Sequence, residues 1–440
     1  MIDYTAPMST KPSYPKGIPY IIGNEAAERF SYYGMKAILT VFMTSYLMNA
    51  DGSPEPMGEE EAKAWFHLFG MANYFFPIVG ALLSDIFFGK YKTIIWLSLV
   101  YCLGHVALAY DSSRMGLAIG LSLIAMGSGG IKPCVSAHVG DQFTKESKSL
   151  IERVFSYFYF SINLGAFAST LLTPVLLERF GPHVAFGIPG VLMFIATIVF
   201  WMGRNVYRAI PPVGVKAYKK DLLSEQGRKS TIQLCILYIF IAIFWSLFDQ
   251  TGSAWVLQAK EMDRVVDLGL LTFEVLPSQV QAVNPILVML LIPIFSFFLY
   301  PQAARFMKVT PLRKIGVGMF LAALSFVLAA WLELRIENGE KVSILWQVLA
   351  YLILTASEVL VSITALEFSY TQAPNSMKSF IMGLFLLSVS LGNGVTALVN
   401  ALLATFEMSD LSGVSYYLFF AGLMFLTSLA YIQFARQFQE

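Results

Sequence analysis

Long apolar stretches, separated by short polar ones, dominate this chain of 440 residues. A helix needs about 20 predominantly apolar residues to cross a bilayer. Stretches long enough lie at 19–49, 62–87, 92–110, 114–138, 152–178, 183–203, 230–258, 277–300, 312–334, 342–371, 378–404 and 412–435. The pattern therefore predicts an all-α membrane protein with twelve transmembrane helices.

Composition supports the same class: 56% of the residues are hydrophobic, 13% are charged, and the mean hydropathy is +0.63. These values exclude an ordinary soluble protein. The net charge of +1 gives no reason to expect nucleic acid as a partner. The three cysteines lie in apolar segments, so we expect no disulfide framework, metal site or cofactor. A G-x-x-x-x-G-K-[ST] stretch is missing from the sequence, which disfavours an ATP-driven pump.

Most of the 30 Lys and Arg residues fall in loops that would share one side of the membrane. Cytoplasmic loops carry such an excess, so we expect both termini to be cytoplasmic. Residues 1–18 are polar and hold no short apolar core followed by a small-residue cleavage site. We therefore expect no removable signal peptide.

The polar stretch 204–229 divides the apolar pattern into two blocks. It predicts an N-terminal bundle of six helices at 1–203, a cytoplasmic linker at 204–229 and a C-terminal bundle of six helices at 230–440. This plan, together with GALLSDIFFGKYKTI at 80–94, resembles the major facilitator superfamily. In that fold the substrate site lies near the midplane, between the two halves.

The first apolar segment carries charges on one face. Glu25, Glu28, Arg29 and Lys36, with Tyr32, fall within about 100° of arc on a helix. Each charge costs roughly 2.5–3.5 kcal/mol at a bilayer centre on insertion scales, so such a stripe must face the protein interior or a wet cavity. The stripe is the first candidate for a functional site.

Charges of opposite sign occupy the membrane segments of the two halves. The first half holds Arg29, Lys36 and Lys132, and the second half holds Asp249, Glu358 and Glu367. A cavity between the halves would then be positive on one wall and negative on the other. A zwitterion such as a di- or tripeptide complements that field, while variable side chains would need looser apolar pockets.

Glycines and a proline surround Lys132 in the fourth segment. Gly127, Gly129 and Gly130 precede it and Pro133 follows it. Proline removes a backbone donor and glycine permits close approach, so we expect an irregular helix beside a cavity. A glycine patch that packs helices around a structural ion pair is the alternative. A phosphate loop is disfavoured, because no strand precedes the glycines and their spacing is wrong.

Six stretches carry a narrower resemblance. They are E-x-x-E-R-F-x-Y-Y-G at 25–34, GSGGIKPCVSAHVGDQF at 127–143, FYFSINLGA at 158–166, FWSLFDQTGSAW at 244–255, NP at 284–285 and EVLVSITALEFSYTQAP at 358–374. Together they resemble the proton-dependent oligopeptide transporter family. The resemblance implies proton-coupled import of di- and tripeptides by alternating access, in a protein that is not an enzyme and functions as a monomer. The resemblance is to a bacterial, twelve-helix member of this family. Together with the short loops, it leads us to expect a bacterial inner membrane.

The same resemblance implies roles for individual residues. The peptide-binding residues would be Arg29, Tyr32, Tyr33, Tyr74, Lys132, Asn163, Trp245, Asn284, Glu358 and Phe385. The proton-coupling residues would be Glu25, Glu28, Asp249 and His67. Arg29 and Lys132 would receive the peptide carboxylate, and Glu358 would hold its ammonium. Lys36 and Asp249 would form a gate salt bridge on the outer side.

Three of these positions remain open. Lys36 stands where many relatives carry arginine, which loses the forked geometry toward Asp249. Phe385 stands where a tryptophan often occurs. His67 could also be an ordinary hydrogen-bonded structural residue.

Two other functions compete with peptide transport. The first is proton-coupled transport of nitrate or another small anion on the same fold, which Glu358 disfavours because a buried carboxylate repels anions. The second is a membrane-embedded hydrolase, which is disfavoured because the sequence holds no nucleophile motif and no H-E-x-x-H pattern.

Overall fold

A computed structural model of the chain describes residues 13–49, 51–144, 147, 150–212, 214–215, 225–267, 269, 272–372, 378–406 and 409–439. Most of these residues are helical. The first 12 residues of the predicted N-terminal bundle and residues 213 and 216–224 of the predicted linker lie outside this description.

The first half begins with four helices: α1 (Ile18–Ser45), α2 (Glu59–Leu82, continued by a π-helical turn, Leu83–Phe88), α3 (Lys90–Tyr110) and α4 (Arg114–Asp141). The next helical stretch, Ile151–Met202, contains two helices, because Gly181 has φ 78° and ψ −178°. We call its parts α5 (151–180) and α6 (182–202). A short 3-10 turn, Gly203–Asn205, follows.

The second half is interrupted more often. It starts with α7 (Glu225–Phe248), a 3-10 turn (Asp249–Gly252), α8 (Ala254–Lys260) and a small antiparallel hairpin of β1 (Val265–Asp267) and β2 (Thr272–Glu274). It continues with a 3-10 turn (Pro277–Ala282), α9 (Val283–Ile294), a π turn (Phe295–Leu299) and α10 (Tyr300–Ala303). The last elements are α11 (Pro311–Glu337), α12 (Leu345–Glu358), a π turn (Val359–Ile363), α13 (Thr364–Gln372), α14 (Lys378–Phe406), a 3-10 turn (Ser409–Leu411) and α15 (Val414–Gln439).

Ten stretches of the described chain are long and apolar enough to cross a membrane. One of them, Arg153–Asn205, contains the break at Gly181 and so provides two crossings. The helix α1 is not among the ten, although its 28 residues are long enough, and it carries the four charges of the stripe. With α1 and the division at Gly181, the twelve crossings predicted from the sequence are confirmed.

Two of these helices begin at capping residues that can be recognised in the sequence. Ser113 caps α4, where its hydroxyl accepts a hydrogen bond from the Gly116 amide. Thr310 caps α11 in the same way through the Arg313 amide, and Pro311 occupies the first helical position. Both signals follow the usual preference for Ser or Thr at the cap and Pro just inside the helix.

Two helices differ from what the sequence led us to expect. The helix α7 begins at Glu225, inside the predicted linker 204–229. The fourth segment was expected to be irregular near Lys132, but α4 is helical throughout. Its glycines serve packing instead: a Cβ on Gly129 would lie 2.4 Å from the Asn73 carbonyl oxygen of α2.

Each half has its own apolar core. The halves meet where α2 runs along α14 and where α5 contacts the 277–282 turn. Hydrogen bonds between them cluster toward the end of the molecule at which α1 ends and α2 begins, which we call the α1–α2 end. There Thr40 donates to the Gly252 carbonyl at 2.7 Å, and Gln281 donates to the Ala37 carbonyl at 3.1 Å.

Candidate functional site

A cavity of about 210 Å³ lies between the two halves. Polar, aromatic and small apolar side chains line it. From the first half these are Tyr33, Lys36, Tyr74, Ile162, Asn163, Ala166 and Thr170. From the second half they are Trp245, Phe248, Asp249, Thr251, Gly252, Gln281, Asn284, Pro285, Val288, Tyr351 and Glu358. The structure thus brings eight of the predicted site residues to one chamber.

Arg29 and two glutamates form a compact ionic cluster within α1. Arg29 Nε lies 2.6 Å from Glu25 Oε1 and 3.2 Å from Glu28 Oε2. Glu28 and Arg29 lie three and four residues after Glu25, spacings that place their side chains on the same helix face as Glu25. The two carboxylates are almost fully buried, and Arg29 keeps 12% of its side chain exposed. None of the three is among the residues that line the cavity.

The helix α5 approaches this cluster closely because of Gly165. A Cβ at Gly165 would lie 2.7 Å from the Ala26 carbonyl oxygen and 3.2 Å from the Arg29 Cβ. A side chain there would push α5 away from α1, so glycine sets the distance between the two helices. The same stretch of α5 carries Asn163 to the cavity, where its amide nitrogen donates to the Tyr159 carbonyl at 2.9 Å.

Lys132 is held between two aromatic rings. Its Nζ lies 3.9 Å from the centre of the Tyr32 ring and 4.5 Å from that of Tyr74. This nitrogen is buried, and it has no hydrogen-bond partner among the described residues. Cation–π contacts of this kind contribute about 0.5–2 kcal/mol, but a buried ammonium also requires acceptors for its N–H groups. Tyr74 lines the cavity, so its ring stands beside both the chamber and this unpaired cation.

Tyr32 is not among the residues that line the chamber, and its role in peptide binding stays a prediction. It is fully buried, and its hydroxyl accepts a hydrogen bond from Asn73 Nδ2 at 2.9 Å. Its ring contacts the Tyr33 ring edge-on, with centroids 5.3 Å apart. The 100° step between neighbouring helix positions sends Tyr33 to the cavity and Tyr32 into the bundle.

Lys36 and Asp249 join the two halves. Lys36 Nζ donates to Asp249 Oδ1 at 2.8 Å, and Asn393 Nδ2 donates to Asp249 Oδ2 at 2.7 Å. Asp249 is the first residue of the 3-10 turn after α7, so its side chain is presented at a break in the helix. The pair predicted from the resemblance is therefore in contact, and its role as a gate stays a prediction.

His67 extends the same network and is itself fully buried. Its Nδ1 lies 2.8 Å from Asn393 Oδ1, and its Nε2 lies 2.8 Å from Ser253 Oγ. Asn393 and Ser253 were missed by sequence reasoning. The only available signal for Asn393 was its position between two glycines in an apolar segment, Gly392 and Gly394.

Glu358 faces the cavity from α12 and is held by Asn284. The Asn284 amide donates to Glu358 Oε2 at 2.8 Å and to Thr355 Oγ1 at 3.1 Å. Trp245 lies one helical turn before Asp249 and lines the same wall. Its Nε1 is buried without a hydrogen-bond partner among the described residues.

Phe385 also lies away from the chamber, and its role in peptide binding stays a prediction. It lies 4% exposed within the core of the second half, with its ring 5.9 Å from that of Tyr238. It is not among the residues that line the cavity.

In the part of the chain that the structure describes, no group of three or more His, Cys, Asp or Glu residues could hold a metal ion.

Known proteins are similar to this chain along most of its length. The family model described as the POT family matches residues 91–222 and 214–417. The Drosophila melanogaster protein "Peptide transporter family 1" is 39% identical over 372 residues, which covers 74% of this chain and 48% of that protein. "Solute carrier family 15 member 2" of Mus musculus is 40% identical over 378 residues, covering 74% of this chain and 50% of that protein. The chain thus spans about half the length of the curated relatives it matches.

Solved structures match over almost the whole chain. The POT family transporter PepTSo superposes with a TM-score of 0.87 at 39% identity, covering 97% of this chain and 99% of that one. An auto-inhibited POT family peptide transporter gives the same TM-score at 36% identity, covering 96% and 97%. The twelve crossings and the likeness to these solved structures together define a multi-pass membrane protein of the major facilitator fold. The chain belongs to the POT family.

Proposed function

We propose that this protein is a proton-coupled symporter that imports di- and tripeptides by alternating access through the cavity between its halves. Its partners are then peptides, protons and the lipid bilayer, and it performs no covalent chemistry. Two printed names support the substrate class: the fly relative is "Peptide transporter family 1", and one of the solved structures is an auto-inhibited POT family peptide transporter.

One observation carries the proposal: the cavity has a carboxylate on one wall and cations beside the opposite wall. Glu358 faces the chamber from the second half, held by Asn284. Lys132 lies behind Tyr74, and its ammonium has no hydrogen-bond partner among the described residues. A peptide with a free amino and a free carboxyl end can satisfy both groups. A volume of about 210 Å³ suits a small substrate, because sites for drug-sized ligands measure about 300–1,000 Å³.

Coupling to protons follows from competition for Arg29. In the structure both Glu25 and Glu28 contact this guanidinium. A substrate carboxylate that takes over Arg29 leaves one glutamate without its cation, and that glutamate then binds a proton. Moving one charge through 100 mV is worth about 2.3 kcal/mol, so one proton per neutral peptide sustains roughly fiftyfold accumulation.

The orientation rests on the positive-inside rule, which favours cytoplasmic termini. The α1–α2 end then faces outward, and the Lys36–Asp249 contact closes the outer side in this conformation. The unit of function in the proposal is the monomer, since one chain supplies both walls of the cavity. The bacterial inner membrane stays part of the proposal on the strength of the short loops.

The test uses the full chain, purified and inserted into sealed vesicles. A labelled neutral dipeptide is added with an inward proton gradient and a negative interior potential. We expect intact peptide to accumulate and the signal to collapse with a protonophore. Cleaved peptide would support a hydrolase instead. Uptake of nitrate without uptake of peptide would support the anion transporter. A competition panel of peptides of one to four residues then defines the accepted length.

A further inference from the structure

One surface loop of the second half carries positive charge that no acidic residue balances nearby in the sequence. The chain has no Asp or Glu between residues 275 and 332. The cations of this stretch, which we call the 305–314 basic patch, are Arg305, Lys308, Arg313 and Lys314. They lie between the end of α10 and the first turn of α11. Because α9 starts from the 277–282 turn at the α1–α2 end, the patch lies at the opposite end of the molecule.

The four cations are also unpaired in space. None of them forms a salt bridge within the part of the chain that the structure describes, not even with Glu367, an exposed acid of α13 at the same end. Neighbouring groups of the loop hold them instead. Arg313 Nη1 donates to the Lys308 carbonyl at 3.0 Å, and Lys314 Nζ lies 4.1 Å from the centre of the Tyr300 ring. The loop thus gathers charges of one sign, which attract an anion from outside the chain.

The corresponding end of the first half balances its charge differently. Both α2 and α9 are followed by a π-helical turn, Leu83–Phe88 and Phe295–Leu299. Just after the first of these turns, Lys90 Nζ lies 2.6 Å from Asp141 Oδ2. In the described chain, the cations after the second turn have no such carboxylate. The comparison indicates that the partner of the 305–314 basic patch is not supplied by the protein.

Exposed apolar side chains accompany the charges. Phe306 is 90% exposed, and Met307 beside it is 50% exposed. Two further phenylalanines, Phe297 and Phe298, are exposed in the π turn that belongs to the same crossing, Pro277–Ala303. Exposed apolar groups of this size mark an interaction site. Because Phe306 and Met307 follow the end of the crossing by a few residues, they lie at the level where lipid acyl chains meet the headgroups.

We propose that the 305–314 basic patch binds an anionic phospholipid, whose headgroup phosphate is held by Lys308 and Arg313 and whose acyl chains pack against Phe306 and Met307. In the orientation proposed above, this end faces the cytoplasm, and the cytoplasmic leaflet carries anionic lipids. A soluble anion would satisfy the charges but not the apolar side chains. The adjoining crossing is also the least buried of the ten described, since only 22% of its apolar stretch is buried in the protein. A bound lipid would cover it.

The test uses the full chain, purified in a neutral detergent and free of peptide, so its result does not depend on the proposed function. Native mass spectrometry measures how tightly the first phosphatidylglycerol molecule is retained as this lipid is added. We expect it to bind more tightly than phosphatidylcholine. The double variant Lys308→Gln, Arg313→Gln should bind it roughly 25-fold more weakly, because each cation beside an anionic lipid contributes about 1 kcal/mol, or roughly fivefold.

Three variants make the result specific. Lys308→Arg with Arg313→Lys keeps both charges and should bind phosphatidylglycerol almost as the unmodified protein does. Phe306→Gln keeps the charges and removes the apolar contact, so it should weaken binding several-fold. The matched control is Lys92→Gln, which removes an exposed cation of α3 at the same end of the first half. It should leave binding unchanged.

Three outcomes would overturn the lipid site. Unchanged retention of phosphatidylglycerol in the double variant would show that these cations do not hold the headgroup. An equal loss in Lys92→Gln would show a general attraction to the basic end of the protein. Displacement of the lipid by excess inorganic phosphate, together with no effect of Phe306→Gln, would show a site for a soluble anion only.

Discussion

Two ionic contacts on the same helix differ in what they connect. The Arg29 cluster lies wholly on α1, where Arg29 contacts Glu25 and Glu28. Farther along the helix, Lys36 contacts Asp249, which is 213 positions away and belongs to the other half. In the proposed alternating-access cycle, a rocking motion of the halves would leave the first contact intact and would break the second.

Under the proposed function, the difference assigns proton coupling to the first contact and gating to the second. Because the Arg29 cluster lies within one helix, a displacement of one half against the other does not separate its members. The Lys36–Asp249 pair responds directly to the position of the halves, and Asn393 ties the same carboxylate to α14. We therefore expect substitutions in the cluster to uncouple transport from protons, and substitutions in the pair to change the conformational equilibrium.

The largest effect is expected from Glu28→Gln and Glu25→Gln. Neither variant can exchange a proton at the substituted position, so proton-driven accumulation should fall from roughly fiftyfold to no net accumulation. Exchange of labelled for unlabelled peptide across the vesicle membrane should partly survive. The control is Glu340→Gln, which removes an exposed carboxylate that also contacts an arginine, Arg335 at 2.6 Å. Full accumulation in both α1 variants would remove these residues from coupling.

The second effect concerns closure of the α1–α2 end. Lys36→Ala leaves the Asp249 carboxylate buried without its cation, a change that costs about 3–5 kcal/mol in a closed structure. Spin labels on the 49–61 loop and on the β1–β2 hairpin should report a longer distance than in the unmodified protein. Lys36→Arg keeps the charge and should keep the short distance. An unaltered distance in Lys36→Ala would show that other contacts close this end.

A third prediction separates the cavity wall from both ionic contacts. Glu358→Ala removes the carboxylate that Asn284 holds, so affinity for peptides with a free amino terminus should fall about tenfold or more. Peptides with a blocked amino terminus should lose less. Glu367→Gln, nine residues farther along the same crossing, is the matched control and should leave binding almost unchanged. Equal losses for free and blocked peptides would exclude the ammonium contact.

The smallest effect is expected at Lys63. This side chain of α2 is 7% exposed and reaches across to the second half, where its Nζ lies 4.1 Å from the centre of the Tyr416 ring of α15. Lys63→Gln removes a cation–π contact worth about 0.5–2 kcal/mol and an ion pair with Glu60 Oε1 at 2.8 Å within α2. The distribution of spin-label distances at the α1–α2 end should therefore broaden slightly. It should not shift to longer distances, as we expect for Lys36→Ala. A change as large as that of Lys36→Ala would mean that the two contacts act as one closure.

The crossings and the charged stripe could be read from the sequence, because they depend on local features. Apolar runs of sufficient length predict membrane helices wherever they occur. Helical spacing alone brings Glu25, Glu28 and Arg29 to one face, and the structure has them in contact. The sequence also showed that the charged residues within the membrane segments are positive in one half and negative in the other.

Packing decided which side chains reach the chamber. Tyr32 and Phe385 were expected at the cavity and lie in the cores instead, since apolar and aromatic residues look the same in sequence whether they pack inward or line a pocket. The glycines near Lys132 were expected to disturb α4, yet they let α2 and α3 approach an intact helix.

The sequence by itself determined the number of crossings and which charged residues lie within them. The length of an apolar segment and the spacing of residues on a helix are local properties of the chain. Only the tertiary structure decided which distant groups meet. His67 lies 326 positions from Asn393 and 186 from Ser253, yet it contacts both. Such contacts arise when two halves with separate apolar cores pack against each other, and no local sequence pattern specifies how they are aligned.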